Sequence, residues 1–445
     1  MKRNLLCFLA LVVVLGFTWP IRAQNQAIET VTDADGTIAP VVPIQIDPNA
    51  EPRALPQDES VIAGATGNYP WRMQPALYGF TPAPSEGTWF PAEFDDATGI
   101  VLGWPANAYN GNTLIYTELR DIARNAAGRM TVNIVVNDAT RPKVQTTLQA
   151  AGVDLSLINF VTFPRQFPDT GAATSTTVDT IWLRDYGPEF VYDVDGNFSI
   201  IDSSYYPSTW LGPTQPRGRV RDDAVPTRLA NLWGLPVYRP RLYSEGGNLQ
   251  SDSYGTCFVS ERMVNNNIRL FGSAYDLGNT LYQYYGCAQT VVLNSLLGEG
   301  TGHIDMFMTV ISPTTIIMGQ YDPADDPTNA PRLNANAQAL TNLGYQVIRI
   351  PMPKKYYVRR GTQTERVWAT FANSIRVNSA TLVPTFGNSA AFDAIPALRD
   401  TLRAQREVAL QIYRDALPDV EIIPVDGDPL IPLDGSLHCI NITYY

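Results

Sequence analysis

Histidine is nearly missing from this chain: in 445 residues only His303 and His438 occur. Acid–base chemistry near neutral pH falls most often to histidine, so these two positions confine where such chemistry can sit. Cysteine is scarce as well, with four copies at Cys7, Cys257, Cys287 and Cys439, which excludes a disulfide-rich miniprotein. The paired Cys/His spacings of a structural zinc site are also absent. Basic charge is outnumbered, 32 Lys and Arg against 43 Asp and Glu, for a formal charge of −11. That balance offers no footprint for nucleic acid or anionic lipid. After the N-terminus no stretch approaches the roughly 20 apolar residues of a membrane helix.

What is present begins with a leader. Residues 1–23 carry Lys2 and Arg3, an apolar run from Leu5 to Phe17, then Trp19-Pro20 and the small Ala23, the layout of a secretory signal peptide with cleavage near Ala23 or Gln24. A secreted chain, extracellular or periplasmic, with no membrane insertion is the expectation. Cys7 lies inside the apolar run and is no lipoprotein anchor. Loss of Lys2, Arg3 and Arg22 takes the formal charge to −14, with 29 basic residues against 43 acidic. Three cysteines then remain, an odd number, so at least one thiol is unpaired within the chain. A Cys257–Cys287 bridge would leave Cys439 free, though spacing does not fix the pairing.

Residues 24–85 are acidic, Pro-rich and weakly periodic, and are read as a mostly disordered tether or propeptide-like segment. Folded sequence is expected from about 86 to 445, starting near Trp89-Phe90-Pro91-Ala92-Glu93-Phe94. Within it, amphipathic helices stopped by Gly or Pro recur ahead of short apolar strands, an α/β pattern. The pairs are Thr113 to Ala127 with Thr131 to Val136, Pro142 to Ala151 with Leu155 to Phe163, Pro226 to Trp233 with Pro236 to Leu242, Asp276 to Gly286 with Thr290 to Leu293, Asn334 to Leu343 with Tyr345 to Ile350, and Pro396 to Leu417 with Val420 to Val425. Six such pairs, with hairpins between them, predict a repeat architecture.

Candidate chemistry falls at matching places in these units. The loops are Trp182-Leu-Arg184-Asp185-Tyr-Gly-Pro, Glu245-Gly-Gly-Asn248, Gly302-His303-Ile-Asp305 and Asp434-Gly-Ser-Leu-His438-Cys439. A thiolate nucleophile needs a proton-transfer partner and a carboxylate, so Cys439, His303 and Asp305 form a candidate catalytic set. Each loop alone is weak evidence, since Gly-Gly-Asn is a common turn. Four in register are stronger.

In this order the four motifs resemble the guanidine-modifying enzymes, most closely the agmatine deiminase and bacterial-type peptidylarginine deiminase branch, from about Trp89 to Cys439. The resemblance implies a pentein fold, a five-bladed α/β propeller of ββαβ modules with the site on its axis, and chemistry without metal or organic cofactor. It also implies residue roles: Cys439 as nucleophile, His303 as general acid/base, Asp185 and Asp305 as the carboxylates that hold a guanidinium, and Trp182 against the substrate's methylenes. Two carboxylates facing a planar, permanently charged, donor-rich group give orientation and charge balance together.

The stretch Arg217-Gly-Arg219-Val-Arg221-Asp222-Asp223 resembles the peptidylarginine deiminases, where an arginine pair clamps the carboxylate of a C-terminal arginine. It implies an arginine-containing peptide or protein as partner, with Arg217 and Arg219 as the clamp. Asn248 and Asn373 either line the site or cap turns. His438 is read as a neighbour that shapes the loop, since adjacent side chains generally point apart. Alternatives remain: an agmatine deiminase acting on a small free guanidine, a secreted Cys-His amide hydrolase, or a catalytically silent binding relative. The agmatine branch has a glycine-rich run before its His-Cys where this chain has only Gly435, and Cys439 is followed by only six residues.

Overall fold

The computed structural model describes residues 28–46, 80–105, 116–163, 178–205 and 220–445. The leader, Cys7, Arg217 and Arg219 lie outside them. Strands are β1 (Thr30–Thr32), β2 (Ile38–Ile46), β3 (Gly99–Gly103), β4 (Thr131–Val135), β5 (Ile158–Val161), β6 (Glu189–Tyr192), β7 (Phe198–Ile201), β8 (Val237–Tyr238), β9 (Leu249–Ser251), β10 (Thr256–Ser260), β11 (Gln289–Leu293), β12 (Met308–Ser312), β13 (Thr315–Gln320), β14 (Gln346–Pro351), β15 (Tyr356–Arg360), β16 (Gln363–Val367), β17 (Ile375–Val377), β18 (Ala380–Thr385), β19 (Glu421–Asp426) and β20 (Asn441–Tyr444). The helices are α1 (Tyr116–Ala126), α2 (Arg141–Ala150), α3 (Leu183–Tyr186), α4 (Val220–Asp223), α5 (Val225–Trp233), α6 (Glu261–Phe271), α7 (Leu277–Tyr285), α8 (Asn329–Asn342) and α9 (Pro396–Ala416).

Among the described residues these strands form six small sheets, and five share one plan: an antiparallel pair, then a helical crossover to a parallel third strand. The antiparallel pairs are β20–β3, β6–β7, β9–β10, β12–β13 and β17–β18, and the parallel additions are β4, β8, β11, β14 and β19. The six helix-strand pairs expected from sequence fall into five sheets because the first two share one: α2 leads to β5, which adds as a fourth strand beside β4. Pairing of β20 with β3 joins the end of the chain to the first strand of that sheet and fixes the segment just after Cys439.

The sixth sheet places residues 30–46, part of the 24–85 stretch read as a mostly disordered tether, in a paired hairpin, while residues 47–79 lie outside the described residues. β1 and β2 form a hairpin, and β2 runs parallel to β15, giving the order β1-β2-β15-β16. Its turn is held by Lys355, a buried lysine whose Nζ lies 3.0 Å from Asp33, 3.1 Å from Asp35 and 2.7 Å from Thr37 Oγ1. Pro40 and Pro43 within β2 hid the strand, because proline ordinarily argues against a sheet interior.

Long helices build the layer that covers the sheets. In α9, proline at the first turn starts the helix, and Leu398, Leu402, Ala409, Leu410 and Tyr413 turn one face inward. One large core runs through most of the chain and includes Trp182, Leu437, Cys439 and Ile440. A second cluster gathers Leu249, Val259, Leu281 and Tyr285 around Cys257 and Cys287, which are disulfide-bonded. Of the cysteines in the described residues, Cys439 alone is a free thiol.

Candidate active site

Each described candidate side chain sits in a short segment between strands, held by contacts close to the backbone. Trp182, fully buried in the main core, precedes α3, whose Arg184 and Asp185 are also buried. That loop is anchored from below: Asp222 on α4 accepts hydrogen bonds from the amides of Asp179 and Thr180 and from the Thr180 hydroxyl, and Arg221 pairs with Asp179 at 2.6 Å. Gly246 packs against the Arg184 carbonyl so tightly that a Cβ would collide with it. Glycine there lets the Glu245 loop close onto the Asp185 loop.

These two loops meet at His303. Its Nε2 bonds the Glu245 carboxylate, and its Nδ1 lies 3.6 Å from Asp185 Oδ1 with no hydrogen-bond partner among the described residues. Burial alone would raise the Glu245 carboxyl, but His303 and Arg262 outweigh it and hold that group at about 2. Glu245 therefore fixes the ring and leaves Nδ1 toward Asp185.

Cys439 lies in a short turn, His438–Ile440, and is fully buried. The Ser436 amide points at its sulfur from 3.3 Å, Asn373 Oδ1 is 3.3 Å away, and Asp305 Oδ2 is 3.8 Å away. Asn373 also donates to the Asp305 carbonyl at 3.1 Å and accepts from the His438 amide at 3.0 Å. It therefore ties the Asp305 loop to the Cys439 loop. Asn248 serves differently: its side-chain oxygen caps the Ser260 amide at 2.9 Å, where β10 passes into α6.

His438 departs from the expectation that its side chain points away from the nucleophile's surroundings. Its Nδ1 lies 2.8 Å from Asp305 Oδ2, the oxygen 3.8 Å from the cysteine sulfur, and its Nε2 lies 2.8 Å and 2.9 Å from the two oxygens of Glu93. Alternation of neighbours is a property of extended backbone, whereas in a 3-10 turn successive side chains are only about 120° apart. Glu93 in turn binds Arg184 Nη1 at 2.6 Å, and Arg184 Nε donates to the His438 carbonyl at 3.2 Å. Burial raises Glu93, but Arg184 and His438 bring it down to about 2. Burial and Arg184 pull the His438 imidazole down, while Glu93 and Asp305 outweigh them and hold it above its ordinary value.

The structure thus gathers Cys439, Asp305 and Asn373 in one cluster, and His303 with Asp185 in a second. Sequence reasoning assigned no role to Glu245 or Glu93. Glu245 opens the Glu-Gly-Gly-Asn motif, so its position was visible without its function. Glu93 had only its place in the first folded segment, beside Trp89 and Phe94, to mark it.

An α/β repeat fold with a buried free cysteine, a carboxylate-bound histidine and two further aspartates is the set expected of guanidine-modifying hydrolytic deiminases. Residues 89–444 match the family model of the Porphyromonas-type peptidyl-arginine deiminases, and the chain belongs to that family. Among curated proteins, an agmatine deiminase from Pseudomonas fluorescens is 23% identical over 388 residues, covering 80% of this chain and 95% of that one. Another, from Pseudomonas aeruginosa, is 26% identical over 294 residues, 59% of this chain and 74% of that one. Among solved structures, a candidate arginine deiminase from Porphyromonas gingivalis superposes with a TM-score of 0.63 at 24% identity, covering 80% of this chain and 98% of its own. The agmatine deiminase of Enterococcus faecalis gives 0.63 at 17% identity, covering 81% and 96%.

Proposed function

We propose that the chain hydrolyses the terminal guanidinium of an arginine-derived substrate to a ureido group and ammonia, with Cys439 as nucleophile. The observation that carries this reading is a buried cysteine outside the disulfide and beside Asp305 and Asn373, combined with a histidine whose Nδ1, unbonded among the described residues, faces Asp185. In this reading the guanidinium sits between Asp185 and Asp305, which balance its charge and accept its N–H groups. The Cys439 sulfur bonds to the central carbon to give a tetrahedral adduct. Its collapse breaks one C–N bond as His303 delivers a proton to the leaving nitrogen, and ammonia departs. Water, deprotonated by His303, adds to the remaining thiouronium carbon, and loss of the thiolate leaves the ureido product. The five sheets of one plan, with β20 closing onto β3, support a five-bladed propeller with this site at its centre.

Agmatine or a similar small guanidine is the preferred substrate in this reading, since most named relatives are agmatine deiminases. A second reading, peptidyl-arginine with a C-terminal carboxylate held by Arg217 and Arg219, has its own support. The segment that directly follows these arginines, Arg221 to Asp223, is bonded to the loop leading into Asp185. Export by the N-terminal leader belongs to the same proposal, and the disulfide fits an oxidising compartment.

Ammonia and ureido product released from agmatine and from peptides ending in arginine decide between the substrates. Alanine at both Arg217 and Arg219 should leave agmatine turnover little changed if agmatine is the substrate. If the clamp is real, the same change raises the KM for such peptides by roughly ten- to several-hundred-fold, on about 1 to 2 kcal/mol per charged contact. Absence of ammonia from every guanidine would remove the deiminase reading altogether.

A further inference from the structure

Two adjacent side chains, His438 and Cys439, meet one carboxylate. Asp305 Oδ2 lies 2.8 Å from His438 Nδ1 and 3.8 Å from the cysteine sulfur. The far nitrogen of the same imidazole is held by both oxygens of Glu93, and Glu93 is itself fastened by Arg184 at 2.6 Å. The result is a chain of alternating charge, Arg184, Glu93, His438 and Asp305, ending beside the sulfur. His438 and Asp305 are both almost fully buried, so water screens little of it.

We propose that His438, clamped by Glu93, is the positioning residue of this site: it fixes Asp305 by one oxygen and keeps a cation beside Cys439 that offsets the Asp305 charge. A carboxylate free to rotate could present either oxygen to a guanidinium. With Oδ2 bonded to the imidazole, the orientation of the other oxygen is set before substrate arrives. Next to a thiol, an uncompensated carboxylate disfavours the thiolate, and a neighbouring imidazolium reverses that. The groups facing His438 are Asp305 on Nδ1, Glu93 on Nε2, Arg184 at its carbonyl, and Cys439 next in the chain. Glu93 and Asp305 favour the charged imidazole, and Arg184 opposes this while orienting Glu93.

This inference rests on Cys439 being the nucleophile, yet its first test needs no turnover. Ultraviolet thiolate absorbance of the full chain is titrated against pH, with Cys439→Ala subtracted to isolate one thiol. In His438→Gln the midpoint should rise by about one pH unit, the scale of losing one close opposite charge. Glu93→Gln should give a smaller rise, because it removes a more distant anion and, through it, the nearer cation. Should His438→Gln fail to fold, Glu93→Gln carries the test. Asparagine at position 438 can reproduce the Nδ1 donor toward Asp305, whereas glutamine reproduces the reach toward Glu93. His438→Asn should therefore keep kcat within about tenfold of wild type while His438→Gln loses about a hundredfold or more, each tenfold being about 1.4 kcal/mol. An unshifted or lowered thiol midpoint overturns the proposal, as does a His438→Asn enzyme no more active than His438→Gln. Wild type that releases no ammonia from any guanidine would instead overturn the deiminase reading and leave the thiol titration to judge His438.

Discussion

The side-chain oxygen of Asn373 lies 3.3 Å from the sulfur of Cys439. Because that oxygen also accepts the His438 amide and the Asn373 amide group donates to the Asp305 carbonyl, a single residue sets the spacing between nucleophile and carboxylate loops. Asn373→Ala leaves the His438 amide and the Asp305 carbonyl without this partner in a buried site. The expected loss is about 1–3 kcal/mol in stability, read by denaturant melts, together with a fall in kcat. Unchanged stability and unchanged kcat would make this asparagine dispensable.

Asp185→Asn and Asp305→Asn each remove one charge from the proposed guanidinium site. At about 1.5–3 kcal/mol per charged hydrogen bond, kcat/KM should fall by roughly ten- to a hundredfold or more in each. Steady-state kinetics check this, and normal turnover in either variant makes that carboxylate structural.

Glu189 carries a pH signature of its own. Burial pushes its carboxyl up to about 7, although Tyr285 and Ser244 donate to it and Arg184 lies near. A carboxyl raised in the folded state contributes stability that is full below its ordinary value and is lost as pH rises through the folded one. Wild type should therefore lose stability relative to Glu189→Gln between about pH 5 and pH 8, on the order of 1–3 kcal/mol. Melting curves that run parallel across this range would show that Glu189 does not titrate there.

Lys355 is 4% exposed and has Asp33 and Asp35 as its ion-pair partners. Lys355→Ala takes the ion-pair partner from Asp35, leaves Asp33 with Arg366 at 4.0 Å, and loosens the N-terminal hairpin from β15. A lowered melting temperature is expected, equivalent to roughly 1–3 kcal/mol and below the cost of breaking a fully buried pair, because Asp33 remains partly exposed. Early proteolysis between residues 28 and 46 in the variant, against protection in wild type, checks the docking directly.

The site was legible in sequence to the extent that its chemistry uses rare residues. With two histidines and a cysteine near the chain's end, His303, Asp305 and Cys439 stood out before any fold was known. Helix-strand alternation was legible too, through the 3.6-residue period of segments such as α9. Register was not: nothing local to Ile38–Ile46 announces a partner more than three hundred residues away at Tyr357, and its prolines argue against a strand. Glu93 and Glu245 escaped for a related reason, since a carboxylate gains its meaning from the histidine it meets, and both meetings are long-range. The direction of the His438 side chain was not legible, because the turn that holds it, unlike a strand, lets neighbouring side chains reach one partner.

In the proposed reaction the Cys439 sulfur forms a covalent bond to the guanidinium carbon. Acid quench of the enzyme during turnover of agmatine or a C-terminal-arginine peptide, followed by digestion and mass spectrometry, tests it most directly. A substrate-derived thiouronium mass increment is expected on the peptide containing Cys439, absent from Cys439→Ala, which should bind substrate but release no ammonia. Sustained ammonia release by Cys439→Ala would contradict it.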